Sequence, residues 1–239
     1  MSVLLIGALL ALFIAPMWLK AVLLGVGAYC GWKRHQALTG RRPGAGASSA
    51  ARARRLRTPL IRLATAFGIR TEAARLADRC DAGAAGERHV AALLAQLTGW
   101  TVLPDRALPH GEANVDFVVI SPKGVVFNVD AKQWKAEPPL TVQGGRLMHG
   151  RADVTRRLRG LHYETRTISG LLGVRVQSVA AVIGPLPAGA ELRVGGVRII
   201  PAADLCTVLR RLNRETLPQQ RPERLTDTAA RLLPPKTER

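Results

Sequence analysis

Two carboxylates and an amine stand where a sheet normally buries Val or Ile. The stretch ANVDFVVISPKGVVFNVDAKQW, residues 113–134, reads as two apolar strands joined by a tight turn, yet Asp116, Asp130 and Lys132 interrupt it. The turn sets which of them meet. In Ser121-Pro122-Lys123-Gly124, Pro122 suits the first central position of a type I turn and Gly124 the left-handed residue that follows. Such a three-residue loop puts Ser121 opposite Val125, and counting back pairs Ile120 with Val126, Val118 with Asn128 and Asp116 with Asp130. Opposed residues share a face with Cβ atoms about 5 Å apart, and Lys132, two residues beyond Asp130, points to the same side. Facing carboxylates raise the pKa of one of them or hold a cation, and oxygen donors of this kind suit Mg²⁺ or Mn²⁺. Lys132 is then placed to stabilise an anionic transition state or to orient a water. The same spacing also fits a solvated outer face on which Lys132 simply neutralises two acids.

A third carboxylate lies upstream. In GAAGERHVAALLAQL, helical spacing puts Glu87 on the stripe of Val90, Leu94 and Leu97. A charge at the head of a core-facing stripe is costly without a partner. The alternative is an ordinary N-terminal acid favoured by the helix dipole.

Together these segments resemble the nuclease-related domain, NERD, a branch of the PD-(D/E)xK restriction-endonuclease-like superfamily. The pattern is a helix with G-x-x-G-E, a strand of the form (I/V)-D-(H/F)-V-V-V, a Gly turn, and a strand ending (E/D)-x-K with an aromatic two residues on. Gly83, Gly86, Glu87, Asp116, Asp130, Lys132 and Trp134 match in order, and the resemblance covers about 81–184. It implies an αβββαβ core with a mixed sheet and divalent-metal cleavage of phosphodiesters, with DNA expected as substrate before RNA. It also implies Glu87, Asp116 and Asp130 as ligands of Mg²⁺ or Mn²⁺, with Lys132 completing the catalytic set. Two features depart from the family. Asp130 is the shorter of the two acids the motif allows, and the later helix, DVTRRLRGLHYETRTI, lacks the Pro and Gln that many members carry there. That helix instead presents Arg156, Arg157, Arg159 and Arg166, which fit either phosphates or a solvated face. Trp100 and Trp134 read as packing residues, Trp134 standing near enough to the site to meet a base.

The elements that must hold these residues mix helix and strand. The pattern predicts a helix over 85–98, strands near 101–104, 114–120 and 124–132, and a hairpin around Gly144-Gly145. A helix over 154–172, strands near 176–184 and 192–200, and a helix over 202–214 follow. The expected class is α/β, with the folded domain at 81–214 and a flexible Pro-rich tail at 215–239.

Before the domain, Val3–Leu19 and Ala21–Trp32 carry no charge and only Lys20 divides them. Thirty helical residues would reach about 45 Å, enough for one tilted span, so residues 1–32 are expected to be a single-pass transmembrane helix that anchors the chain in the cell membrane. Positive flanking charge begins at Lys33, which places the C-terminal domain in the cytoplasm. Residues 33–80 read as a basic linker with a possible juxtamembrane helix near 60–76. Between Lys33 and Cys80 stand twelve basic residues against two acids, within a chain whose formal net charge is +18. A field of that sign favours polyanions, nucleic acid or anionic lipid. The sparse cysteines, Cys30, Cys80 and Cys206, suit a reducing compartment and no disulfide framework. The expected function is a membrane-anchored metal-dependent nuclease. The alternatives are a catalytically silent nucleic-acid-binding module at the membrane and a structural or signalling membrane protein that binds only lipid head groups. The sequence leaves the oligomeric state open.

Overall fold

The structure, a computed structural model, describes residues 44–236 apart from 60, 62–64, 66–68, 70 and 110–112. The expected membrane anchor at 1–32 and about half of the expected helix near 60–76 lie outside the described residues. Among the described residues no helix is long and apolar enough to cross a membrane.

The chain is an α/β structure built around a mixed sheet. In order come α1 (Ala47–Leu56), α2 (Glu72–Leu94), β1 (Thr101–Ala107), β2 (Asn114–Ile120) and β3 (Val126–Gln133). A small antiparallel sheet of β4 (Leu140–Gln143), β5 (Arg146–His149) and β6 (Ala152–Asp153) follows. A 3-10 turn, Thr155–Leu158, then leads into α3 (Arg159–Leu172). The chain finishes with β7 (Val176–Ile183), β8 (Leu192–Val194), β9 (Val197–Pro201), α4 (Leu205–Glu215) and α5 (Pro222–Leu232). Among the described residues the main sheet has six strands in the order β1-β2-β3-β7-β9-β8. β1, β2 and β3 run antiparallel, whereas β3, β7 and β9 are parallel neighbours.

Strand alternation divides the core between two faces. Phe117, Val119, Phe127, Val129, Val179 and Ala181 pack beneath α2 and α4. The opposite face of β2 and β3 sends Val118, Ile120 and Val126 against Ile168 and Leu172 of α3 and Leu225 of α5.

Three elements differ from the sequence expectation. Helix α2 begins at Glu72 rather than near 85, capped by Thr71, whose hydroxyl accepts from the Ala74 N–H at 3.2 Å. Its first half buries Ala74, Ala77 and Ala84, small side chains that leave little periodic apolar signal. Within the segment read as a linker, α1 packs on α2 through buried Ala51 and Ala53. In the tail read as flexible, α5 starts with Pro222 in its first turn and buries Leu225, Ala229 and, just past its end, Leu233.

Candidate active site

The ladder between β2 and β3 runs from Ile120↔Val126 to Phe117↔Val129 and includes Val118↔Asn128, the register the turn predicts. The turn itself closes with Gly124 at φ +75°, the Gly124 N–H donating to the Ser121 carbonyl at 2.9 Å and the Ser121 N–H to the Val125 carbonyl at 2.9 Å. Beyond Phe117 and Val129 the strands part. β2 continues beside β1 as far as Asn114, and β3 beside β7 as far as Gln133. Asp116 and Asp130, next in register, therefore stand at the mouth of a fork. The Ala131 N–H, released from the ladder, donates to Asp116 Oδ2 at 2.9 Å. Lys132 Nζ donates to Asp130 Oδ1 at 2.7 Å.

Helix α2 delivers the third acid. Glu87 is 4 % exposed, and its Oε1 accepts the Ser49 hydroxyl at 2.7 Å. The structure thus brings Glu87, Asp116, Asp130 and Lys132 into one electrostatic neighbourhood. Burial, reinforced by the charges of Asp130 and Glu87, holds Asp116 well above the usual carboxylate range. Burial also pushes Glu87 up; Asp105 and Asp130 add to the rise, while Ser49 and the Gly46 N–H oppose it. For Lys132, burial acts downward, but the adjacent Asp130 outweighs it and the amine rises, so it stays a cation at neutral pH.

Two buried acids here, Glu164 and Asp105, escaped the sequence reading. Glu164 of α3 is buried, and Asn128 Nδ2 donates to its Oε2 at 3.3 Å and to Thr165 Oγ1 at 3.1 Å. Burial, with Asp130 adding, pushes Glu164 up to about 7. Its place among Leu161, Ile168 and Leu172 is the signal that picked out Glu87, hidden here by the neighbouring arginines. Asp105 of β1 is fully buried with φ +48°. It falls opposite Asp116 in the β1–β2 register, between the pairs Pro104↔Phe117 and Arg106↔Val115. The expected strand stops near 104, one residue short of it.

On the sheet face of Asp130 and Lys132, Trp134 is only 7 % exposed and packs with Ala180 and Val182, their neighbours on β7. The Arg157 guanidinium lies 5.8 Å from the centre of its ring. Trp134 therefore acts as a packing residue that carries Arg157 beside the strand end. Arg156, Arg157 and Arg159 are all exposed where the chain enters α3.

The donor set suits a hard cation. Glu87 Oε2 and Asp130 Oδ2 are buried with no hydrogen-bond partner, and two carboxylate oxygens without donors are what a cation would satisfy. Among the described residues no three His, Cys, Asp or Glu side chains gather into a metal-holding group, so the expected three-carboxylate cage is not preassembled. Mg²⁺ needs no such cage, because one or two carboxylates with waters and substrate phosphate commonly hold it.

Comparison with known proteins adds one finding: residues 82–182 match the family model of the nuclease-related domain, NERD. No curated protein and no solved structure matches the chain.

Proposed function

With residues 82–182 a nuclease-related domain, we propose that the chain is a membrane-anchored, metal-dependent nuclease that hydrolyses nucleic-acid phosphodiester bonds, DNA before RNA. One observation carries this reading: two buried, unpartnered carboxylate oxygens, Glu87 Oε2 and Asp130 Oδ2, in the neighbourhood of a half-buried lysine at a strand fork. The order α2, β1, β2, β3, α3, β7 supports a restriction-endonuclease-like core.

Glu87 and Asp130 would hold the cation, with Asp116 on β2 held by the Ala131 N–H. When bound, Mg²⁺ or Mn²⁺ supplies Lewis-acid polarisation of a phosphoryl oxygen and an acidified water. Lys132 holds its positive charge beside the scissile phosphate, where it offsets developing negative charge and orients the attacking water. Arg157, steadied on Trp134, is placed to bind a flanking phosphate. The uncharged runs in 1–32 and the basic flank from Lys33 support anchoring with the domain in the cytoplasm.

A silent binding module is the second reading. Glu164, a buried acid on α3, favours it, because it adds negative charge beside Asp130. The test is incubation of the purified protein with labelled DNA and RNA in Mg²⁺, Mn²⁺ or EDTA. Cleavage in either metal, none in EDTA, and loss in a folded Asp130→Asn variant are expected. Binding with no cleavage in either metal would establish the silent module instead.

A further inference from the structure

Helix α1 lies outside the matched domain, yet it reaches into the site. Its Ser49 hydroxyl donates to Glu87 Oε1 at 2.7 Å. Glu87 Oε2 is left buried and without a partner. A carboxylate tied through one oxygen cannot swing freely, and its second oxygen is presented in a fixed direction.

Contacts along the whole helix hold α1 in this place. Gly46 has φ +77°, and a Cβ there would come within 2.7 Å of the Ala84 carbonyl oxygen, so the backbones of α1 and α2 meet at a point only glycine allows. Ala51 and Ala53 are buried against α2, and Arg57 pairs with Asp78 at 2.8 Å and with Asp81. At the other side of the first turn, the Ser48 N–H and hydroxyl donate to Asp105 at 3.1 and 2.9 Å, and Asn114 Nδ2 donates to Asp105 at 3.0 Å. The helix has no side-chain cap of its own. Asp105, 57 residues further along the chain, accepts the Ser48 N–H instead. A non-glycine residue in the left-handed region, as Asp105 is, persists when its surroundings fix it.

We propose that α1 completes the catalytic site, with Ser49 a positioning residue that fixes Glu87 so that Oε2 faces the cation. This rests on the nuclease reading above. It places the functional boundary of the domain near Gly46, well before the matched residues begin, and makes the segment leading from the expected anchor part of the metal site.

The test is Mn²⁺ titration by calorimetry on the full-length chain, with Ser49→Ala, Ser49→Thr and Glu87→Gln beside the wild type. Ser49→Ala is expected to weaken Mn²⁺ binding by about ten- to a hundredfold, the usual effect of losing a partner that orients a metal ligand. Ser49→Thr keeps the hydroxyl and should restore most of the affinity. Cleavage by Ser49→Ala should recover as Mn²⁺ is raised. If Ser49→Ala binds Mn²⁺ like the wild type while Glu87→Gln binds weakly, the positioning role is overturned and the nuclease reading stands. Tighter binding or faster cleavage by Ser49→Ala would make the contact inhibitory and also overturn it. A wild type that binds no Mn²⁺ overturns the nuclease reading and this inference together.

Discussion

Lys132 and Glu164 approach Asp130 with opposite consequences. The 2.7 Å contact between Lys132 Nζ and Asp130 gives a buried acid its counter-charge, so removing the lysine leaves that carboxylate uncompensated until a cation arrives. Lys132→Ala should therefore lower cleavage by at least about a hundredfold, as for loss of a preorganised charge at a transition state, while leaving Mn²⁺ affinity close to wild type. Parallel loss of both would make Lys132 structural rather than catalytic. Glu164 adds to the pH dependence in the same direction as Asp116 and Glu87, whose carboxyls are also raised. Its pKa rises from 4.5 to about 7 on folding, so the folded chain holds an extra proton between those values. Stability is then greatest below the unfolded value and falls as pH climbs through 7, by on the order of 3 kcal/mol for this group. Urea unfolding in EDTA should show a more stable protein at pH 5.5 than at pH 8. Glu164→Gln should reduce that difference and stabilise the chain at pH 8. A variant with the wild-type pH slope would mean that Glu164 is ionised without penalty.

Between elements, turn chemistry travelled well from sequence to structure and packing of small residues did not. Pro122 and Gly124 encode the loop that puts Asp116 and Asp130 at corresponding heights, because a left-handed glycine after a type I turn admits one register. Gly144-Gly145 and Gly195-Gly196 mark hairpins for the same local reason. Helix α1 left no such mark. Its apolar contacts are alanines and its N-terminal acceptor, Asp105, comes from a distant part of the chain. Helix α5 was obscured by the prolines around it, although Leu225, Ala229 and Leu233 repeat every four residues. Leu225 is 1 % exposed and packs in the core with Val118, Ile120 and Val126, so Leu225→Ala should destabilise the domain by about 2–5 kcal/mol in urea. No change would mean that α5 is not part of the cooperative fold. The turn and this helix also touch: a Cβ at Gly124 would run into the Gln220 carbonyl just before α5. The element that aligns the two aspartates is thus buttressed by the tail.

Over the whole molecule, a formal net charge of +18 raises the local concentration of any polyanion but does not say where one lies. Two exposed arginine groups are candidates. Arg156, Arg157 and Arg159 cluster where the chain enters α3, with Arg157 held over Trp134 just past the end of the strand that bears Asp130 and Lys132. Arg52, Arg54 and Arg55 lie on α1, nearer in the chain to the expected anchor and suited to anionic lipid. Phosphate contacts release counterions, so log affinity for duplex DNA falls linearly with log salt, by about 0.9 per phosphate neutralised. Replacing Arg156, Arg157 and Arg159 with Gln should flatten that slope by about 2–3 if each meets one phosphate. Replacing Arg52, Arg54 and Arg55 should leave the DNA slope nearly unchanged and weaken binding to phosphatidylserine vesicles. Equal flattening by the α1 replacements would move the nucleic-acid path onto α1, across the helix that holds Glu87. If neither set changes the slope, phosphate binding belongs to another part of the basic surface, and the placement of Arg157 beside the scissile bond fails.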